Sequence, residues 1–407
     1  MSNIGGSKLA KVQDSRLVGE VIEAAVNPDP LKWMTMGGQE LERAKYPELS
    51  KLFPVGTFTS TARTLAGAPS SSVIIADNTN FIAASSTATG APMQTSADGI
   101  TWNSPAAGWA ASTTWGCMIV AGSRIVALPA AGETAAFVTA TNQTAVATTL
   151  KSNWTATTGC GSSAVTQGLA YSPQLGLTVA IRGSTDALAY TLSDGSTAWT
   201  ARTTPSSAKT AICWTGTRFI ITEVTVLNQA LPIIVSTDGI NWSREYLPFV
   251  GGTGHSPSIV SDGNGTVVCS GYINTGVGGG NTGATFTSKD GGATWVSVFG
   301  AADAYALNIY MSYVNGLFIG AYGYTTVAST GISTSTDGLN WFNEPSSARA
   351  GLTMDATYYA YKSGVYCGII ASITSALTAT LGTTKFRLPA SNIRTTGLMP
   401  RFIKYRS

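Results

Sequence analysis

The chain has little charge, a single histidine and few cysteines, and each shortage closes a class of function. Of its 407 residues only 11% are charged, less than half the share usual in a soluble domain. One histidine, His255, cannot build a histidine-rich metal centre. The five cysteines, Cys117, Cys160, Cys213, Cys269 and Cys367, are odd in number, widely spaced and free of any C-x-x-C pair. A disulfide framework is therefore not expected, and in apolar runs such as Val267-Val268-Cys269 the residue acts as a small hydrophobe. No stretch reaches eighteen apolar residues, so membrane insertion is not expected, and Met1 to Ala10 lacks the apolar segment of a secretory signal. A net charge of +3 is too mild to point to nucleic acid. No metal and no cofactor are expected. What the chain does have is 44% hydrophobic residues and 45 glycines, with much Ser, Thr and Ala, a composition that favours short strands and turns.

The few charges are segregated. Residues 1–57 hold seven basic and seven acidic groups, and residues 383–407 hold six basic and no acidic ones. The 325 residues between them carry eleven basic and fourteen acidic groups. Two charged ends bracketing a nearly uncharged middle suggest one small domain, 1–57 with 383–407, interrupted by a large insertion over 58–382.

The middle repeats itself. Ser96-Ala97-Asp98-Gly99-Ile100-Thr101-Trp102 returns as Ser236 to Trp242, around Asp238, and as Ser335 to Trp341, around Asp337. Two copies carry one more residue before the tryptophan: Ser193 to Trp199, around Asp194, and Ser288 to Trp295, around Asp290. The Ser193 copy also lacks the residue between serine and aspartate. In such a turn the Asp carboxylate accepts from the following amides, Gly supplies a positive φ, and the Trp starts the next strand. The aspartates read as structural, not catalytic. These motifs resemble the Asp-box hairpin of sialidase-like β-propellers. Trp154 marks a degenerate copy.

A short turn followed by an apolar strand recurs at Phe81, Ile125, Leu177, Phe219, Val267, Phe318 and Val365, at spacings of 42 to 52 residues. That period predicts one set of four strands per repeat. The expected fold is mainly β: a seven-bladed propeller over 58–382, inserted in a small α+β domain. The seventh repeat has no box, so a closing strand near 56–61 is expected to complete it. A six-bladed ring with an extra hairpin is the alternative.

In the flanks, Val18 to Ala25 and Trp33 to Gly38 read as strands, and Gln39 to Phe53 as a helix interrupted at Pro47. Gly19, Trp33, Gly37-Gly38, Arg43, Tyr46-Pro47, Leu49 and Phe53 resemble the first half of a bacteriophage tail-collar domain. Phe386-Arg387-Leu388-Pro389 resembles its second half, and Phe402-Ile403-Lys404-Tyr405 the closing strand of phage fibre proteins. The match covers about 80 residues and departs from the family at Met36 and at Ala390-Ser391.

The resemblance implies a virion tail-fibre or baseplate-type structural protein, made in the host cytoplasm and carried in the tail. Its partners would be other tail or baseplate proteins and a host-surface glycan or protein, and the chain would form a homotrimer. The loops opposite the boxes are the expected receptor-binding face, with Trp109, Trp115, Tyr272, Tyr305, Tyr322 and Tyr324 as candidate rings; Trp115 and Tyr305 fit burial between blades equally well. The alternatives are a sialidase-like glycoside hydrolase and a decoration protein without a ligand. Hydrolysis would need an arginine triad, an acid and a backed nucleophile. Arg124 and Arg218 fall at turns away from such a pocket, while Arg63, Arg182, Arg202, Arg244 and Arg349 leave the question open. The chain is expected not to be an enzyme.

Overall fold

A computed structural model of the chain describes residues 21–23, 33–35, 40–42, 44–46, 58–65, 71–85, 93–103, 108–110, 112–139, 151–161, 164–182, 186–224, 229–250, 258–274, 281–298, 308–324, 327–339, 341–344, 358–369, 375–381, 385–387 and 401–404. Among these residues the only helical element is a 3-10 turn, Lys151–Asn153. The protein is mainly β.

Three short strands come first: β1 (Val21–Glu23), β2 (Trp33–Thr35) and β3 (Glu40–Glu42). β4 (Phe58–Thr64) follows, and then the chain runs through seven consecutive meanders. Unit 1 is β5 (Ser71–Ala76), β6 (Phe81–Ser85) and β7 (Met93–Ser96), with a bridge from Thr95 to Asn103 in place of a fourth strand. Unit 2 is β8 (Thr114–Ala121), β9 (Arg124–Ala131), β10 (Phe137–Thr139) and β11 (Trp154–Ala156). Unit 3 is β12 (Ala164–Ser172), β13 (Leu177–Arg182), β14 (Leu188–Ser193) and β15 (Thr200–Thr203). Unit 4 is β16 (Lys209–Trp214), β17 (Phe219–Glu223), β18 (Ala230–Ser236) and β19 (Ser243–Val250). Unit 5 is β20 (Ile259–Ser261), β21 (Val267–Asn274), β22 (Asn281–Ser288) and β23 (Val296–Val298). Unit 6 is β24 (Asn308–Val314), β25 (Leu317–Tyr324), β26 (Val327–Ser335) and β27 (Phe342–Glu344). Unit 7 is β28 (Tyr358–Lys362), β29 (Val365–Ile369) and β30 (Ser375–Leu381). β31 (Lys385–Arg387) and β32 (Arg401–Lys404) end the chain.

Hydrogen bonding gathers these units into six sheets, where seven separate blades were expected. Units 3 and 4 share one eight-stranded sheet, joined by a single parallel pair, Gln167 with Ala211. Both innermost strands are irregular next to that pair: β12 shifts register between Ala164 and Leu169, and β16 between Lys209 and Ala211. Such bulges bend a strand and re-aim its edge, which lets two inner edges meet. Among the described residues unit 7 has no fourth strand of its own. β4 takes that place, pairing antiparallel with β30 from Phe58–Leu381 to Thr64–Ser375.

The core is a ring of clusters, each between neighbouring units. On β9, Ile125 and Ala127 pack toward unit 1 with Met93 and Ile82, while Val126 and Leu128 pack toward unit 3 with Leu169 and Leu192. This is the two-residue alternation of a strand buried on both faces. Further clusters join units 3 and 4, 4 and 5, and 5 and 6. Units 6 and 7 are tied by Tyr359 N–H donating to Ser312 Oγ at 3.0 Å. The ring closes where Phe81 and Trp102 of unit 1 pack with Ala360, Cys367 and Ile369 of unit 7. A closed ring of radial sheets is a β-propeller.

Outside it, β32 lies between β1 and β2 in a three-stranded sheet, and β3 pairs with β31. The two ends of the chain thus meet. The α+β flank is not what the described residues show. Glu40–Glu42 is a strand, where a helix from Gln39 to Phe53 was expected. Glu40-Leu41-Glu42 alternates as an edge strand does, and the partner Lys385–Arg387 decides its state. Residues 47–57 lie outside the described residues.

Candidate functional site

Each unit starts at its innermost strand, so the first-to-second and third-to-fourth connections share one face. The Asp turns sit there. At Asp238, Oδ1 accepts from the Ser236 hydroxyl at 2.9 Å and from the amides of Ile240 and Asn241, both at 2.8 Å. Ser236 Oγ accepts from Gly239 N–H at 2.8 Å, and Trp242 Nε1 donates to Gly239 O at 3.1 Å. The turns at Asp98, Asp290 and Asp337 repeat the serine, amide and tryptophan bonds. The turn at Asp194 does not: its Oδ2 accepts from Tyr171 OH at 2.9 Å, and Trp199 Nε1 donates to Thr157 Oγ1 at 2.8 Å. The tryptophan after each of these turns wedges between its own unit and the preceding one: Trp102, Trp199, Trp242, Trp295 and Trp341 all belong to inter-unit clusters.

A set of four cations, missed as such in the sequence, straps units 2, 4, 5 and 7 to a turn of the next unit in the ring. Arg124 donates to Ser196 O at 2.8 Å and Ser193 O at 3.2 Å. Arg218 donates to Gly291 O at 2.9 Å, Lys289 to Asp337 O at 2.9 Å, and Lys362 to Ala97 O at 2.8 Å. The signal was present: each cation stands beside a unit's first-to-second or third-to-fourth turn.

On the opposite face lie the second-to-third connections and those between units. Trp109 is half-buried there, edge-on to Trp115 (5.0 Å between centroids) and to Phe137 (5.1 Å), with Lys151 Nζ 5.5 Å from its ring centre. Trp115 itself is 1% exposed. It is a core residue between units 1 and 2, which corrects its place among the candidate rings: alternation on β8 turns it inward, and its ring packs with Met118 and Phe137. The backbones of Tyr272, Tyr322 and Tyr324 sit toward the outer-face ends of β21 and β25, where Tyr322 pairs with Gly331 and Tyr324 with Val327. Tyr305 and His255 lie outside the described residues.

The same face carries an ionic network that the sequence did not announce. Asp186 Oδ2 accepts from Tyr190 OH at 3.0 Å, Tyr190 OH accepts from Arg182 at 3.1 Å, and the wholly enclosed Lys209 ammonium stands 3.7 Å from Asp186 Oδ1. Burial pushes the Lys209 amine down, against the pull of Asp186. Burial, then the bond to Asp186, pushes the Tyr190 phenol up. Nearby, the buried Glu223 takes Arg244 in a two-pronged pair at 2.8 and 2.7 Å, and Glu133 holds Lys151 at 2.7 Å. The pairing keeps these charges in place at the face.

A cavity of about 480 Å³ lies on the propeller axis, lined by the innermost strands of all seven units. Among the described residues Asp262 is its single acidic side chain, and no arginine lines it. Cys117 and Cys213 line it as well, but burial pushes both thiols far up, so neither supplies a thiolate. Among the described residues no three His, Cys, Asp or Glu side chains gather as a metal site.

No family model matches the chain, and no curated protein sequence matches it. Solved structures do. A chain of hydrazine synthase from Kuenenia stuttgartiensis superposes with a TM-score of 0.54 at 10% identity, over 78% of this chain and 96% of its own. The extracellular domain of BT4673 from B. thetaiotaomicron gives 0.53 at 11% identity, over 79% of this chain and 40% of that one, so the present chain spans less than half of that protein. A chain of the mitotic checkpoint complex gives 0.52 at 10%, over 79% and 93%. At such identities the likeness is one of fold alone, and the fold is the β-propeller.

Proposed function

We propose that the chain is a virion tail-fibre or baseplate-type protein whose propeller presents a host-surface glycan-binding face. One observation carries the reading. β30 runs toward the box face and β4 starts there, with Leu381 opposite Phe58. Both connections to the flanks therefore leave the propeller on the box face, and the opposite face stands clear of them. In this reading the flanks, 1–57 and 383–407, form a split collar-like domain that assembles with other tail proteins as a homotrimer. The turns are Asp-boxes serving as struts, and the free face carries loops in the manner of scaffolds that bind. Trp109, backed by Trp115 and flanked by Lys151, offers an amphipathic ring of the kind that stacks on sugars. The acid-poor, arginine-free axial cavity favours binding over hydrolysis, and Arg124, Arg182, Arg218 and Arg244 are committed to scaffold partners.

The test is competitive adsorption. Purified full-length chain should block attachment of particles to host cells. The variant with Trp109, Tyr272 and Tyr324 changed together to Ala should fold, assemble and fail to compete. Full competition by that variant would remove this face from the reading.

A further inference from the structure

The axial cavity opens among the first-to-second turns, on the box face, away from the surface argued above. Its volume, about 480 Å³, lies within the range of roughly 300–1,000 Å³ in which small ligands are held. Among the described residues the lining combines Val120, Tyr171, Trp214, Tyr313 and Tyr358 with one carboxylate, Asp262, and no lysine, arginine or histidine. We propose that this cavity binds a small organic cation, an ammonium ion carrying methyl or short alkyl groups.

The chemistry selects that class. An anion entering the cavity meets Asp262 with no cation to offset it. A neutral apolar molecule strips water from the carboxylate and returns nothing. An alkylated ammonium ion places its carbon surface against the aliphatic and aromatic walls, and its charge is attracted by the carboxylate. Asp262 is set in position beforehand: its Oδ1 accepts from Asn264 N–H at 2.8 Å and from Thr266 N–H at 2.9 Å. Both of those bonds fall on one oxygen. Tyr313 lines the same cavity, and burial, then the Asp262 charge, pushes its phenol up. Lys289 reaches the same turn but is engaged by Thr266 Oγ1 at 3.2 Å and Asp337 O at 2.9 Å.

Calorimetric titration of the full chain with choline and with its uncharged isostere, 3,3-dimethylbutan-1-ol, tests the proposal. Choline should bind about tenfold more tightly than the neutral alcohol. Asp262→Asn, whose amide oxygen can still cap the turn, should lower choline affinity about tenfold and leave the alcohol unchanged. Val120→Trp, at the mouth, should block both. Equal affinity for the two probes would reduce the cavity to an apolar hole, and no choline binding at about 10 mM by folded protein would remove the site.

Discussion

The turns at Asp238 and Asp194 share a sequence motif and a face of the propeller, yet they are held in different ways. At Asp238 the spacing Ser-x-Asp puts the serine hydroxyl and two amides on one carboxylate oxygen, and the turn is held from within. At Asp194 the intervening residue is missing, and the turn is held from outside. Arg124 of the preceding unit grips its carbonyls, Tyr171 donates to its carboxylate, and Asp194 N–H donates to Gly176 O. One deleted residue thus moves the stabilising bonds from the turn to its neighbours. The motif as read in the sequence is a local rule, but the propeller meets it by two routes.

The glycines of these turns give the largest contrast. Both are left-handed, Gly239 at φ +72° and Gly195 at φ +79°, so alanine strains either one by about 1 kcal/mol. Gly239 also sits against unit 3, and a Cβ there would stand 2.7 Å from Leu177 Cδ2, whereas nothing lies within 4 Å at Gly195. Gly239→Ala should therefore cost about 3 kcal/mol, strain and overpacking together, and Gly195→Ala about 1 kcal/mol. Thermal unfolding of the two variants decides it; equal losses would mean that the Gly239 turn does not dock on the preceding unit.

Next in size are the holding groups themselves. Arg124 is 5% exposed, and Arg124→Met should cost about 2 kcal/mol because two carbonyls lose a charged donor. Asp238→Ala should cost about 1.5 kcal/mol, in the range of a lost helix cap, and Asp194→Ala only about 0.5 kcal/mol. Urea unfolding should rank the three in that order. Asp194→Ala matching Asp238→Ala would show that the shortened copy is held from within after all.

Much of this was legible beforehand because it is local. The strand period and the Asp-Gly turns follow from spacings along the chain, and β4 at Phe58–Thr64 takes in Phe58 to Thr61 of the run read as the closing strand. What was not legible depends on neighbours in space. The merging of units 3 and 4 turns on one bridge between two irregular strands. Arg124 and Arg218 read as bystanders because their carbonyl partners lie some 70 residues away. Trp115 read equally well as a loop ring or a core ring, since its place depends on the register of β8 against β9, which is itself irregular between Thr114 and Cys117. The Glu40 run had helical residues and met a strand partner 345 positions on.

The smallest expected effect is on pH, and its sign follows from the same bonds. The amides of Thr101 and Ile100 hold the Asp98 carboxyl below its usual range. At Asp238 slight burial pushes upward, but the amides of Asn241 and Ile240 outweigh it and hold the group well down. At Asp290 the same contest, with Thr294 and Ser288 as donors, ends at about 2. In the unfolded chain an aspartate titrates near 4, so each turn binds its proton less readily when folded. Stability from these groups is complete above about pH 4 and is lost as pH falls through the folded values, about 2 for Asp290 and lower for Asp238. Exposure to water keeps each contribution below about 1 kcal/mol. The informative measurement is the gap in melting temperature between the wild type and a variant carrying Asp238→Asn and Asp290→Asn, followed from about pH 6 down to about pH 2. It should narrow as protons taken up by the unfolded wild-type chain at about pH 4, and then by Asp290 in the folded turn, offset the advantage of the carboxylates over the neutral amides. A gap that stays constant would mean that the turns are held by shape and hydrogen-bond count alone, with no share from the carboxylate charge.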